Sequence, residues 1–346
     1  MTGIARLARE LGISTGTVSR ALNDKPDVNP ETRARVLETA RKFGYVANQS
    51  ARNLAKGKTN AVGFMVELHS VAATHSDNFF MGVCDGMQSV LHEQGLDLIL
   101  LPCPSTDDPY PYLQRFVARR AVDALVISGT RRVDPRIDFL QARGIPFVAL
   151  GRSTSGQDYS WIDLDFEGVA DAAIDRFAAH GHRRIAAVIP RSDINYNAVL
   201  VDAYRRALAR HGLPFDEALV IRSDLSEEGG YAATGEMLAL DDRPTAVLVI
   251  FELMVLGIYR RLTEEQILPG RDMAVISMRD DPASRFLSPP ITSFRLSLHD
   301  LGAGIAEAIL AQMPGHAEAF PHGIVQKRWP MQMQLRESDA FFVGRP

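Results

Sequence analysis

The chain has few cysteines, no long apolar run and none of the short motifs that mark catalysis. Cys84 and Cys103 are the only two cysteines in 346 residues. They are isolated, and the N-terminus opens directly into a helical pattern with no secretion leader. Both features favour reduced thiols and a cytoplasmic location over a disulfide framework. No apolar stretch approaches the roughly 18 residues that a membrane span needs. No Gly-x-Ser-x-Gly elbow, Gly-x-x-x-x-Gly-Lys-Ser/Thr loop or His-Glu-x-x-His helix occurs. Gly302-Ala303-Gly304 lies inside a predicted helix rather than after a strand, so it is no dinucleotide loop. His180 and His182 stand two apart at a helix end, whereas helix-borne metal ligands need a spacing of three or four. Asp280-Asp281 lacks the partner that acid–base work requires and reads as a solvated turn. No metal, cofactor or catalytic residue is therefore expected. No heptad repeat follows Ser338, which favours dimers over a helix-tethered tetramer.

At this length the chain exceeds one ordinary core and suggests two or three domains. Residues 4 to 23 carry the sharpest pattern. Ile4, Leu7, Ala8 and Leu11 form an apolar stripe at helical spacing. Gly12 permits a tight turn, and Ser14 is placed to cap a second helix. Val18, Ala21 and Leu22 give that helix its buried side, which leaves Thr15, Gly16, Thr17, Ser19 and Arg20 outward. A short helix with a small, polar, cationic outer face suits the major groove; the plainer alternative is an ordinary helical hairpin. Asn29-Pro30 caps a third helix whose apolar face is Val36, Leu37 and Ala40, and Gly44 fits its stop. Up to residue 60 there are 11 Lys and Arg against 5 Asp and Glu, a net of +6, while the whole chain is −4. A basic head on an acidic body suggests a polyanion partner for the head alone.

From Ala61 onward apolar strands alternate with amphipathic helices, as in parallel sheets covered on both faces. The strands Ala61–Val66, Leu96–Leu101, Val122–Ser128 and Pro146–Leu150 make one series. Trp161 opens a second, with strands at Ile185–Ile189, Ala218–Ile221, Ala246–Ile250 and Met273–Ser277.

Thr17-Val18-Ser19-Arg20-Ala21-Leu22-Asn23, Asn29-Pro30-Glu31-Thr32-Arg33 and Phe43-Gly44-Tyr45 resemble the start of the lactose-repressor (LacI/GalR) family of bacterial regulators. The resemblance extends over nearly the whole chain. Its later landmarks are Gly181-His182-Arg183-Arg184-Ile185-Ala186, Pro244-Thr245-Ala246, Pro289-Pro290-Ile291-Thr292-Ser293 and a closing strand at Leu335-Arg336-Glu337-Ser338. It implies an all-α helix-turn-helix head at 1–47, a hinge at 48–58 and an α/β body at 59–346. That body has two tandem parallel-sheet subdomains of periplasmic-binding-protein type. The N-subdomain would span about 59–160 and 292–319, the C-subdomain about 161–291 and 320–340, with crossings near Tyr159, Pro290 and Phe320.

On a recognition helix placed in the major groove, Thr15, Gly16 and Arg20 are the expected base-edge positions, Arg20 suited to guanine and Gly16 leaving room for a close backbone approach. Thr17, Ser19 and Asn23 are the expected phosphate contacts. Residues 46–60 read either as a flexible linker or, by resemblance, as a hinge helix that orders on operator DNA. There Leu54 would wedge into a minor-groove step, with Asn48 and Arg52 near phosphates. The effector cleft maps onto Asn78, Phe79, Phe80, Arg152, Trp161, Asp165, Asn195, Leu200, Leu225, Phe251, Glu252 and Arg279. Plainer roles stand beside these: core packing for Phe79, crossover packing for Trp161, and pairing with a nearby acid for Arg152. The chain departs from many relatives at Gly151, Leu200, Phe251-Glu252 and Arg279, which puts their monosaccharide contacts in doubt. Arginines at 152 and 279 would suit carboxylate or phosphate. A carbohydrate stacked on Trp161 and a phenylalanine is the first choice, a sugar acid or phosphate the second, a non-sugar effector the third.

The implied protein is a ligand-responsive repressor of a carbohydrate uptake or catabolism operon. It would act as a homodimer on a pseudo-palindromic double-stranded operator and release it when a small sugar-like effector binds. A solute-binding protein shares the two-lobed body, but the basic head and missing leader oppose it. An enzyme using the same cleft would need a catalytic constellation that the sequence lacks.

Overall fold

The computed structural model describes residues 3–22, 25–45, 59–68, 78–320 and 323–339. The chain divides into two compact units, Met1–Thr59 and Asn60–Pro346.

Among the described residues the first unit holds three helices: α1 (Gly3–Leu11), α2 (Thr15–Leu22) and α3 (Pro30–Lys42). Gly12 takes φ +64°, a left-handed conformation that lets the chain turn between α1 and α2. Ser14 Oγ accepts the backbone N–H of Thr17 at 3.0 Å, the cap that starts α2. Asn29 Oδ1 does the same for Glu31 at 2.8 Å, with Pro30 opening α3. Leu7, Ala8, Val18, Ala21, Val28, Val36 and Ala40 form the core. Leu37 is not part of it and stays 41% exposed. Val36 and Ala40 lie four apart on one face, and Leu37 sits about 100° round the helix from Val36.

The second unit holds two six-stranded sheets. In chain order its elements are β1 (Ala61–Glu67), α4 (Asn78–Glu93), β2 (Asp97–Cys103), α5 (Pro109–Ala118), β3 (Ala124–Ile127), α6 (Pro135–Ala142), β4 (Phe147–Leu150), β5 (Ser160–Leu164), α7 (Phe166–Ala179), β6 (Ile185–Pro190), α8 (Asn195–Arg210), β7 (Val220–Ser223), α9 (Glu227–Leu238), β8 (Ala246–Val249), α10 (Glu252–Glu264), β9 (Ala274–Ser277), β10 (Thr292–Arg295), α11 (Leu298–Leu310), β11 (Gln326–Trp329) and β12 (Gln332–Gln334). The first sheet runs β11-β5-β4-β3-β1-β2 and is parallel throughout. The second runs β12-β10-β9-β8-β6-β7, parallel except for the β12 edge. The central strands β1, β3, β4, β6, β8 and β9 are buried along their whole length, as parallel strands covered on both faces must be.

All three crossings between the lobes lie later than the sequence suggested. Ser160–Leu164 is not the start of the second lobe; it pairs with β4 and β11 in the first sheet, and the chain leaves at Asp165. Thr292–Arg295 pairs with β9, so the return follows Leu296, where Ser297 caps α11. Gln326–Trp329 pairs with β5, which puts the last crossing at Pro330-Met331. Backbone pairing fixes these points, and apolar patterning carries no record of which sheet accepts a strand. The closing strand is likewise Gln332–Gln334, not 335–338.

Asp280 is also not a solvated turn. Its side chain is 1% exposed and receives Arg336 at 2.8 Å, Arg285 at 3.0 Å and Arg295 at 3.5 Å. Burial alone would raise its pKa, but hydrogen bonds from Arg336 and Arg285 hold the carboxyl below its ordinary value.

Candidate functional sites

On the head, α2 presents its polar face outward. Thr15, Gly16 and Arg20 are exposed, Thr17 and Ser19 half-buried, and Val18 points into the core. The Arg20 guanidinium is 3.5 Å from Asp27, with both side chains more than half exposed. Such a pair is weak and opens at little cost. Among the described residues a Cβ on Gly16 would meet only Ser14 Oγ at 3.6 Å and Arg20 Nη1 at 3.8 Å, both ordinary contacts. Asn23, Asn48, Arg52 and Leu54 lie outside the described residues, as does the whole hinge segment.

In the body, a cavity of about 170 Å³ opens where the strands of both sheets end. Glu67 closes β1, Ser128 follows β3, Asp163 and Leu164 end β5, Ile250 follows β8 and Met278 follows β9. Strand C-terminal ends are where doubly wound sheets leave room for a ligand. Five aromatic rings contribute to the lining: Phe79 and Phe80 from α4, Phe166 from α7, Tyr196 from α8 and Phe251 before α10. Phe166 stacks on Tyr196 at 5.4 Å, and Tyr196 tilts against Phe251 at 5.7 Å. Phe79 and Phe80 meet edge to face at 5.3 Å.

Each charged group of the wall has an ion-pair partner. Arg152 donates to Asp163 at 2.9 Å and to Glu167 at 2.6 Å. Arg279 forks onto both carboxylate oxygens of Glu252 and lies over the Phe79 ring at 5.3 Å. Glu67 is held by Arg131 and Arg136. Burial pushes the Asp163 carboxyl up to about 7 against the pull of Arg152, and pushes the Tyr196 hydroxyl up to about 12.

The cavity brings together Phe79, Phe80, Arg152, Leu225, Phe251, Glu252 and Arg279. It does not include four other expected residues. Trp161 sits on β5, half-buried, with Arg152 over its ring at 5.6 Å, and packs against the cluster that holds Met65, Leu125 and Ile127. Asp165 caps α7 by accepting from Gly168 N–H at 3.2 Å. Asn195 gives its side-chain amide to the Arg152 carbonyl at 2.7 Å. Leu200 is fully buried in the core that spans the lobes. Asn78 begins α4, and its side chain lies outside the described residues.

Sequence reasoning missed Glu67, Asp163, Phe166 and Tyr196. A polar residue at the end of an apolar strand was the available signal for the first two. One departure from the family pattern also acquires a local reason. Gly151 takes φ +111°, and a Cβ there would fall 2.4 Å from Thr130 Oγ1, so a side chain would strain the backbone and have to displace that hydroxyl. Glu252 and Arg279, two further departures, form an ion pair with each other.

A helix-turn-helix head followed in one chain by two parallel-sheet lobes around a cleft defines a DNA-binding transcriptional regulator with a ligand-binding body. The chain belongs to the lacI family of bacterial regulatory proteins. Residues 1–48 match the model described as bacterial regulatory proteins, lacI family, and residues 174–337 match the periplasmic binding protein-like domain. The chain is 34% identical to the HTH-type transcriptional regulator AglR of Rhizobium meliloti (strain 1021), over 97% of this chain and 93% of that protein. It is 34% identical to the regulator RafR of Escherichia coli over 79% and 80% of the two chains. The structure of the transcriptional regulator CelR-cellobiose complex matches with a TM-score of 0.72 at 26% identity, covering 98% of this chain and all of that one. The lac repressor dimer bound to operator and the anti-inducer ONPF matches at 20% identity with a TM-score of 0.81, over 96% and 98%, which fixes the fold. The named relatives are regulators rather than enzymes or solute carriers. Among the described residues no helix is long and apolar enough to cross a membrane.

Proposed function

We propose that this chain is a cytoplasmic, non-catalytic repressor that works as a homodimer and leaves a pseudo-palindromic operator when a neutral sugar-like effector enters the body. The carrying observation is the cavity: an aromatic wall whose two arginines already have carboxylate partners. Sugar rings present C–H faces to aromatic rings and hydroxyls to polar groups at the rim. An anionic effector would have to compete with Asp163, Glu167 and Glu252 for arginines whose charge those carboxylates already balance. The cellobiose complex of CelR, as named, fits a carbohydrate reading. The lac repressor dimer on its operator fits the assembly.

In this reading residues 1–47 read DNA, 48–58 form the hinge and 59–346 bind effector and dimerise. Thr15, Gly16 and Arg20 meet bases, Thr17, Ser19 and Asn23 meet phosphates, and Asn48, Arg52 and Leu54 act at the central minor groove. Phe79, Phe80, Arg152, Leu225, Phe251 and Arg279 shape the effector site. A thermal-shift screen of neutral saccharides against sugar acids and sugar phosphates tests it, because a ligand bound only by the native state raises its melting temperature. Stabilisation by neutral saccharides supports the reading. Stabilisation by anionic compounds alone, lost on neutralising Arg152 and Arg279, rejects it.

A further inference from the structure

At the cavity mouth, two loops of the first lobe are stitched to one segment of the second. The Asn195 backbone N–H donates to the Thr130 carbonyl at 2.9 Å, and its side-chain amide to the Arg152 carbonyl at 2.7 Å. Arg131 and Ile194 form an isolated antiparallel bridge. The Arg131 side chain crosses as well, with Nε donating to Asp193 Oδ2 at 3.0 Å. Its other two nitrogens fork onto Glu67, Nη1 to Oε1 and Nη2 to Oε2, both at 3.0 Å. Arg136, 1% exposed, adds a bond to Glu67 Oε1 and is itself locked by Asp134 at 2.6 Å.

An isolated ion pair with a partner as exposed as Asp193 contributes little, largely because two long side chains must be held still. Here one of them is already held: the Glu67 fork fixes the guanidinium before it reaches Asp193. Glu67 also lines the cavity. A carboxylate has about four acceptor positions. The two arginines fill two on Oε1 and one on Oε2, which leaves Oε2 able to take another donor.

We propose that Glu67, Arg131 and Asp193 form a relay that couples a hydroxyl donor in the cavity to closure of the two lobes. Its ligand half rests on the effector reading above; its closure half does not. A hydroxyl donating to Glu67 Oε2 leaves the fork intact and adds to what holds Arg131 toward Asp193. An anion in that place is repelled by Glu67 or draws Arg131 away, and the latch opens. The relay therefore rewards neutral, hydroxyl-bearing ligands with a closed cleft.

Amide hydrogen exchange on the full chain, without ligand, tests closure directly, since the Asn195 N–H is itself a bond between the lobes. In Asp193→Ala the Asn195 amide should exchange up to about fivefold faster. Asp193→Glu should restore the wild-type rate, and the Ile185–Pro190 amides should not change. An Asn195 rate unaltered by Asp193→Ala overturns the latch. The ligand half is read with cellobiose and maltose, neutral disaccharides of opposite anomeric linkage. A sugar that binds should slow Asn195 exchange and bind Asp193→Ala up to about fivefold more weakly. Equal affinity in that variant, with Asn195 exchange still accelerated, overturns the ligand half. If neither sugar binds the wild type, the neutral-saccharide reading and the ligand half fall together, while the ligand-free rates still decide the latch.

Discussion

Arg152 Nε lies 2.9 Å from Asp163 Oδ2, and that carboxylate, 6% exposed, forms part of the cavity wall. Burial outweighs the arginine and lifts the Asp163 pKa from 3.8 to about 7. The folded protein thus holds the Asp163 proton more tightly than the unfolded chain. The stability this contributes is fully present below the ordinary carboxylate pKa and is lost as pH rises toward the folded value. Melting temperature should fall between pH 5 and pH 7.5 by more in the wild type than in Asp163→Asn, which removes this titration. Parallel pH profiles for the two proteins would contradict the assignment.

Leu200 and Phe251 should separate packing from binding. Leu200→Ala empties a fully buried position and should cost about 2–5 kcal/mol of stability while leaving effector affinity near wild type. Phe251→Ala should do the reverse, weakening effector binding with a smaller stability loss, because this half-buried ring lines the cavity. Chemical denaturation and calorimetric titration of both variants check the split.

Gly151 should tolerate no side chain. Its positive φ and the 2.4 Å approach of Thr130 Oγ1 make Gly151→Ala destabilising by about 1–3 kcal/mol. Asp at this position should be no better, and a stable Gly151→Asp protein would mean that the loop relaxes freely.

Arg20 should carry base recognition. Arg20→Gln leaves the buried head core untouched, so its folding should hold. Operator affinity should drop by about 1–3 kcal/mol per half-site, and discrimination at one base pair should relax. A uniform loss on all sequences would instead make Arg20 a phosphate contact.

The head was legible because capping and turn chemistry are local: Ser14, Gly12, Asn29 and Gly44 act on their own neighbours. The alternation of strands and helices was legible for the same reason. The lobe crossings were not, because Ser160–Leu164 and Gln326–Trp329 are placed by pairing with each other across more than 160 residues. Part of the cavity lining was legible by resemblance, through Phe79, Arg152 and Phe251. Its charge balance was not. Arg152 and Arg279 look like anion receptors until Asp163, Glu167 and Glu252 are seen to occupy them.

The central claim is that a neutral ligand in this cavity governs operator binding by the head. A gel shift of the full chain on pseudo-palindromic DNA from upstream of its own gene, titrated with salt and then with saccharides, tests it most directly. The account predicts binding that prefers one sequence, weakens steeply with salt, and is released by a neutral saccharide at concentrations where its phosphate ester has no effect. Binding without sequence preference, or release by anionic compounds alone, would contradict it.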